Sequence, residues 1–423
     1  MVPAKFGVRH RVVGFTMALA AVTYLDRVCI GVLAPQIREE LGLSLKEMGY
    51  IFSAFAIAYA AFEVPTAWWA DRKGARSILT RIVIWWSAFT IATAFAWNFL
   101  SMLIIRFLFG AGEAGAWPSV ARVFSRWIPL HERGRIQGIF FAGAHLSGGL
   151  TPLVVAGLAG LLDWRAIFIL FGFVGVIWAG AWYTWFRDEP REHSAVPAQE
   201  RDMIEATRGI AAGHPAGSWT AVFSTPTVWP LCVQAFANSY GFYFFITWLP
   251  TYLGQMHGMK GAQLAIFSGL PLLLSVIADL VGGEGSDKLS RTMPLRRARK
   301  SFGTGGYILA AASIFLATQI SSGFAAGLFI AIGGACSMLT LAPAWATAVD
   351  VGGRHAGVTA ATMNTVGQVG GILSPIALAY LVDATGDWNV PLLVLAGIYA
   401  VAAAAWLLID PGQRVEVQEP HGA

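Results

Sequence analysis

The sequence predicts an all-α integral membrane protein, with twelve transmembrane helices forming two six-helix halves related by pseudo-two-fold symmetry. Three observations predict it. Hydrophobic residues are 56% and charged residues only 13% of the 423, whereas a soluble chain carries about 25% charged residues. Apolar runs of about 20 residues, long enough to cross a bilayer as a helix, recur along the chain. The basic residues fall on alternate connections between those runs.

The first six runs lie at roughly 12–33, 49–70, 77–97, 99–121, 136–161 and 164–186. The next six lie at 227–253, 262–283, 301–320, 323–349, 355–382 and 388–409. The N-tail, the even-numbered connections with their flanking turns, and the C-tail hold 23 of the 29 Lys and Arg. The odd-numbered connections hold only Arg38, Lys46, Arg165 and Lys260, and Arg27 and Arg106 lie inside runs. Cytoplasmic loops carry the basic excess, so both termini are expected in the cytoplasm. The formal charge of +5 is then topology, and no nucleic-acid patch is expected. The basic N-tail is expected to precede an uncleaved first helix, not to be a cleaved signal peptide, because the run after it is too long and contains Asp26-Arg27. Cys29, Cys232 and Cys336 are scattered through the runs and give neither a disulfide framework nor metal spacing.

The polar stretch after Arg187 contains nine acidic and basic residues between Asp188 and Arg208, with Pro and Gly between them. It divides the chain into a bundle over 1–187, a cytoplasmic linker over 188–225, a second bundle over 226–410 and a tail over 411–423. A short amphipathic helix is expected near Pro197–Thr207. The halves echo each other. Ala67-x3-Asp71-Arg72-Lys73-Gly74-Ala75-Arg76 follows the second run and Gly283-x3-Asp287-Lys288 follows the eighth. Arg135-x2-Gly138 opens the fifth run and Arg354-x2-Gly357 the eleventh. Repeats of this kind place a binding site near the midplane, where the repeats meet.

The loop after the second run resembles the signature of the major facilitator superfamily, with Ala67 where its first Gly is usual. Small-for-small replacement still permits close helix packing. The resemblance implies a cytoplasmic latch between conformational states, built from Asp71, Arg72 and Arg76 in the first half and Asp287 in the second.

Charge inside the runs carries the function. A charge near the bilayer centre costs several kcal/mol and persists mainly where it is paired or faces a polar cavity. Asp26 and Arg27 lie in the first run. Arg106 and Glu113 lie in the fourth, two helical turns or about 10 Å apart, and so on nearly one face. Each of these two therefore needs a partner on another helix, and the first run offers both signs. The four charges sum to zero. Protonating one carboxylate leaves +1, which suits an anionic cargo. Burial raises a carboxyl pKa and a nearby Arg lowers it, so proton and anion can enter together. A static salt-bridge network is the competing reading.

Tyr24-Leu25-Asp26-Arg27, then Arg106-x6-Glu113 with Pro118, closely resemble the anion:cation symporter branch of that superfamily. This branch includes bacterial galactonate, hexuronate, aldarate and tartrate transporters. Thr247-Trp248-Leu249-Pro250 in the seventh run is a further family-like segment. The resemblance implies that Arg27 binds the substrate carboxylate and that Tyr24 and Tyr59 hydrogen-bond the substrate. Asp26 and Glu113 would take the protons, and Arg106 would hold one or other carboxylate between protonation events. Trp345 and Asn364 would close the site from the second half. Tyr243 and Gln368 are further lining candidates. His145 stands where sugar-acid members commonly have Gln, which leaves the particular acid open. Glu63 and Asp279 are read as packing, gating or structural groups.

The expected activity is therefore proton-coupled symport of a small organic anion, a sugar acid or related carboxylate, by alternating access. No cofactor is expected beyond H+ as coupling ion. The expected setting is a monomer in a bacterial inner membrane. A drug-efflux antiporter would carry a Gly-Pro motif in the fifth run, where this chain reads Ser147-Gly148-Gly149-Leu150-Thr151-Pro152. A transporter-like sensor or an intramembrane enzyme lacks support, since no output domain, nucleophile elbow, zinc-helix motif or phosphate loop is present.

Overall fold

A computed structural model describes residues 7–206 and 218–415, apart from a few side chains within them. The chain folds as helices in two compact units, Met1–Ala211 and Ala212–Ala423. The first contains α1 (Val8–Leu41), α2 (Leu45–Lys73), α3 (Ala75–Thr93), α4 (Phe99–Glu113), α5 (Ala116–Trp127), α6 (Leu130–Ala159), α7 (Trp164–Trp185) and α8 (Ala198–Ala206). The second contains α9 (Ser218–Ser224), α10 (Val228–Thr247), α11 (Leu249–His257), α12 (Gly261–Ser290), α13 (Leu295–Gln319), α14 (Gly323–Met338), α15 (Leu341–Gly352), α16 (Ala356–Thr385) and α17 (Asn389–Leu408).

Nine spans among the described residues are long and apolar enough to cross a membrane. The other three of the twelve expected spans are α2, α3 and the α10–α11 pair. Three spans are interrupted: α4 from α5 at Ala114–Gly115, α10 from α11 at Trp248, and α14 from α15 at Leu339–Thr340. Helix ends follow local chemistry. Asn98 caps α4 by accepting from the Ser101 amide at 2.9 Å, and Asp163 caps α7 by accepting from the Ala166 amide at 2.7 Å. Gly42, at φ +64, ends α1 in the left-handed region that suits glycine.

The same pairing scheme recurs in both units. In the first, α1 packs along α6, α2 along α4 and α3 along α7. In the second, α10 packs along α16, α12 along α14 and α13 along α17. By span number these pairs are one–five, two–four and three–six, then the same three pairs shifted by six. Each unit buries its own core, and large side chains such as Ile84, Phe173, Ile177, Ile308 and Val401 stay exposed. In a lipid-embedded bundle such exposure needs no other explanation, because acyl chains are as apolar as leucine.

The polar stretch after α7 is more ordered than a free linker. Asp188 accepts from the Arg76 amide at the start of α3 at 3.0 Å. Glu189 pairs with Arg126 of α5 at 2.7 Å. The expected amphipathic helix is α8. Its Glu200 accepts from the Val8 and Arg9 amides at 3.1 Å each, which satisfies orphan donors at the start of α1. Arg9 also reaches Glu132 of α6 at 3.2 Å. His193 packs edge-on against Trp127 and Trp185, and burial, with Arg187 nearby, pushes its imidazole below the ordinary range. The segment up to Ala206 thus straps helix ends of the first unit together. Residues 207–217 of the expected linker and most of the 411–423 tail lie outside the described residues.

Candidate functional site

Glycine sets the frame. A Cβ on Gly110 would sit 2.4 Å from the Phe55 carbonyl oxygen, so α4 lies backbone to backbone on α2 there. That contact brings Phe55 and Tyr59 of α2 beside Arg106 and Glu113 of α4, and α1 adds Asp26 and Arg27.

Arg27 is buried, and its Nε donates to Glu113 Oε1. Its guanidinium carbon lies 4.8 Å from the centre of the Tyr59 ring and 5.1 Å from that of Phe55. One charged group is thus held by a carboxylate at its edge and by π-faces beside it. Arg106 lies 4.1 Å over the Phe109 ring. Arg106 makes no ion pair within 4.0 Å to Asp26 or Glu113 in this structure. Glu113 is held by Arg27 because Nε of Arg27 reaches it across the α1–α4 gap, while Arg106 spends its face on Phe109.

Both oxygens of Asp26, Nε and Nη1 of Arg106, and Oε2 of Glu113 are buried without a hydrogen-bond partner among the described residues. A buried polar group left unpaired costs about 1–3 kcal/mol, more when charged. Three such groups together, around an arginine already paired, define a site with unused hydrogen-bonding capacity of both signs.

Tyr24, one turn before Arg27 on α1, is buried. Its ring meets His145 of α6 edge-on at 5.9 Å and Trp117 of α5 at 6.4 Å. His145 is itself buried. The structure therefore brings together Tyr24, Asp26, Arg27, Tyr59, Arg106, Glu113 and His145 within the first unit. Trp117 joins this wall. It stacks on Phe141, and its position just after the α4–α5 break could have marked it in the sequence.

The remaining candidates lie in the second unit. Tyr243 is buried on α10 against Gly371 of α16, whose Cβ would meet its ring at 2.6 Å. Asn364 and Gln368 are half-buried one turn apart on α16, and Trp345 is exposed on α15. Of the latch residues, the side chains of Asp71 and Arg72 lie outside the described residues, as does that of Ala67. Arg76 donates to the Tyr183 carbonyl at 2.8 Å and lies over the Tyr183 ring. Asp287 is exposed, and no ion pair to it occurs among the described residues. Between α13 and α15, buried Arg299 pairs with part-exposed Asp350, and Thr347 lies 3.1 Å from the guanidinium. Sequence reasoning missed this pair because Arg299 was counted among the basic residues that mark the cytoplasmic side. Glu63 was also undervalued, since its carboxylate lies within electrostatic reach of Arg27.

Two six-span bundles with the same internal pairing, and ionisable groups sunk in the spans of one, define a multi-pass membrane transporter rather than an enzyme. The profile of the Major Facilitator Superfamily matches residues 16–375, and the chain belongs to that superfamily. It is 36% identical to the probable sulfoacetate transporter SauU of Cupriavidus necator, over 95% of this chain and 94% of that one. It is 29% identical to the hexuronate transporter of Bacillus subtilis, over 93% of each. It is 28% identical to the probable L-galactonate transporter of Escherichia coli, over 92% of this chain and 86% of that one. Among solved structures, a bacterial homologue of the human lysosomal transporter Spinster, in an inward-facing occupied conformation, matches with a TM-score of 0.78 at 20% identity, covering 95% of this chain and 96% of the other. At that identity the match bears on the fold alone.

Proposed function

We propose that the protein imports a small organic anion together with protons across a bacterial inner membrane, as a monomer with both termini in the cytoplasm. The observation that carries this reading is the Arg27–Glu113 pair beside the unpartnered carboxylate of Asp26. An incoming carboxylate or sulfonate offers Arg27 the same kind of charge-assisted contact that Glu113 gives it. The anion displaces Glu113, and a carboxylate left buried without its cation takes up a proton. Anion binding and protonation are then one event, and Tyr24, Tyr59 and His145 orient the cargo. Tyr243, Trp345, Asn364 and Gln368 serve as the second half's contribution. Asp71, Arg72, Arg76 and Asp287 serve the latch. The named activities of the relatives, on sulfoacetate, hexuronate and galactonate, favour an organic acid as the cargo.

The test is uptake into vesicles containing purified protein, using sulfoacetate, glucuronate, galactonate and glucarate in turn. At least one should accumulate, and faster when the outside is acidified. Accumulation indifferent to the proton gradient, or no uptake of any of the four, refutes the proposal.

A further inference from the structure

Two arginines share one row of aromatic rings. The Tyr59 and Phe55 rings of α2 lie 5.9 Å apart, and Phe55 lies 5.6 Å from Phe109 of α4. The close approach of α4 at Gly110 to the Phe55 carbonyl holds the two helices in that register. Arg27 of α1 fills the first notch, 4.8 Å from Tyr59 and 5.1 Å from Phe55. Arg106 fills the second, 5.7 Å from Phe55 and 4.1 Å from Phe109. Phe55 thus stands beside both guanidiniums.

A guanidinium laid against rings commits its face there and keeps its edge N–H groups for acceptors. The edge of Arg27 donates to Glu113. Arg106 is only 2% exposed, and its Nε and Nη1 have no hydrogen-bond partner among the described residues. Asp26, Glu113 and Arg27 all lie within electrostatic reach of it. Yet both oxygens of Asp26 and Oε2 of Glu113 also lack a hydrogen-bond partner there, so neither carboxylate uses that edge. Two positive charges beside one ring repel each other. A singly charged acid on Arg27 leaves the edge of Arg106 buried and unpaired, which weakens the complex. A second acid group on the same molecule satisfies that edge and relieves the repulsion. Because both guanidiniums flank Phe55, a short molecule with a charge-assisted hydrogen bond of about 2.7–2.9 Å at each end spans them.

Resting on the reading of Arg27 as the anion's ligand, we propose that Arg106 is the ligand of a second acid group, so that the cargo is a short dianion, a sulfo-carboxylate or a dicarboxylate. The test is calorimetry on purified protein with two matched pairs: sulfoacetate against methanesulfonate, and malonate against acetate. Each pair differs by one carboxylate. Wild type should bind at least one dianion about tenfold or more tighter than its partner. Arg106→Gln should bring that ratio close to one. Arg106→Lys keeps the charge and loses the fork; it should give an intermediate ratio, and it replaces Arg106→Gln if that variant shows no cooperative melting. A wild-type ratio close to one overturns the proposal and leaves Arg27 as the anion's ligand. A variant that weakens both members of a pair alike, keeping the wild-type ratio, marks a packing role and overturns it too. If none of the four binds while glucuronate, galactonate or glucarate accumulates in vesicles, the short dianion is refuted and organic-anion transport stands. If no acid binds or accumulates, both readings fall.

Discussion

Arg27→Lys keeps the charge and removes the shape, which makes it the sharpest probe of the site. Arg27 binds Glu113 through Nε and stacks its guanidinium near Tyr59 and Phe55 at 4.8 and 5.1 Å. A lysine ammonium is a point charge with no planar face and no fork to grip a carboxylate bidentately. A hydrogen bond to a charged group is worth about 1.5–3 kcal/mol, and a cation–π contact about 0.5–2 kcal/mol when desolvated. Because lysine retains part of both, the net loss for a bound anion should be about 2–3 kcal/mol. That weakens Kd roughly 30- to 150-fold. Isothermal calorimetry with the anion that wild type binds reads this directly. Binding within threefold of wild type would refute the assignment of the planar fork as the anion's ligand. Arg27→Ala should abolish binding, but it also strands Glu113 as a lone buried charge, which costs about 3–5 kcal/mol of stability. The Arg27→Ala/Glu113→Gln double variant separates the effects: stability should return and binding should not.

Three further outcomes test other parts of the molecule. Glu113→Gln should permit anion exchange between vesicle faces while abolishing accumulation under a proton gradient, and intact accumulation would take Glu113 out of the coupling path. Glu200→Ala removes the carboxylate that receives the Val8 and Arg9 amides at 3.1 Å; loss of a helix cap costs about 0.5–2 kcal/mol, so the melting temperature should fall while Kd for the anion stays the same. Gly110→Ala places a methyl group 2.4 Å from the Phe55 carbonyl oxygen; overpacking of this kind costs about 1–3 kcal/mol, and anion binding should weaken with stability, because Tyr59 and Glu113 ride on the two helices forced apart.

The fold was legible because the bilayer leaves few options: twenty-residue apolar runs and a one-sided basic excess are forced by solvation, and both survive single-residue ambiguity. The membership of the charged cluster was legible for the same reason, since Asp26, Arg27, Arg106 and Glu113 are costly where they stand. Who pairs with whom was not. Spacing along α4 tells that Arg106 and Glu113 share a face, but the α1–α4 distance and the competing Phe109 ring decide that Arg27, and not Arg106, takes Glu113. The helix breaks at Ala114–Gly115 and Leu339–Thr340 were hidden as well, because an apolar run reads the same whether or not its hydrogen-bond ladder is interrupted. Glu200 was unreadable in sequence: nothing about a glutamate in a polar stretch announces that it will cap a helix 192 residues away.

The duplicated pairing sharpens the question of why ionisable groups are distributed unevenly. Both units solve the same packing problem, with helices one–five, two–four and three–six side by side, yet they fill the interior differently. In the second unit several buried contacts join neutral groups. Asn238 donates to the Ser337 carbonyl at 3.1 Å, and Tyr307 donates to the Gln234 carbonyl at 2.9 Å. Its deeply set cation, Arg299, is paired with Asp350. Such bonds tie α10, α13 and α14 together. In the first unit the equivalent helices carry Asp26, Arg27, Arg106 and Glu113, and atoms of Asp26, Arg106 and Glu113 lie there without a hydrogen-bond partner. A group that is unpartnered in one state is the kind whose energy changes when a proton or an anion arrives, and a satisfied neutral bond is not. The proposed coupling therefore belongs to the first unit, and neutral substitutions in the second should alter which anion is carried before they alter how many protons go with it.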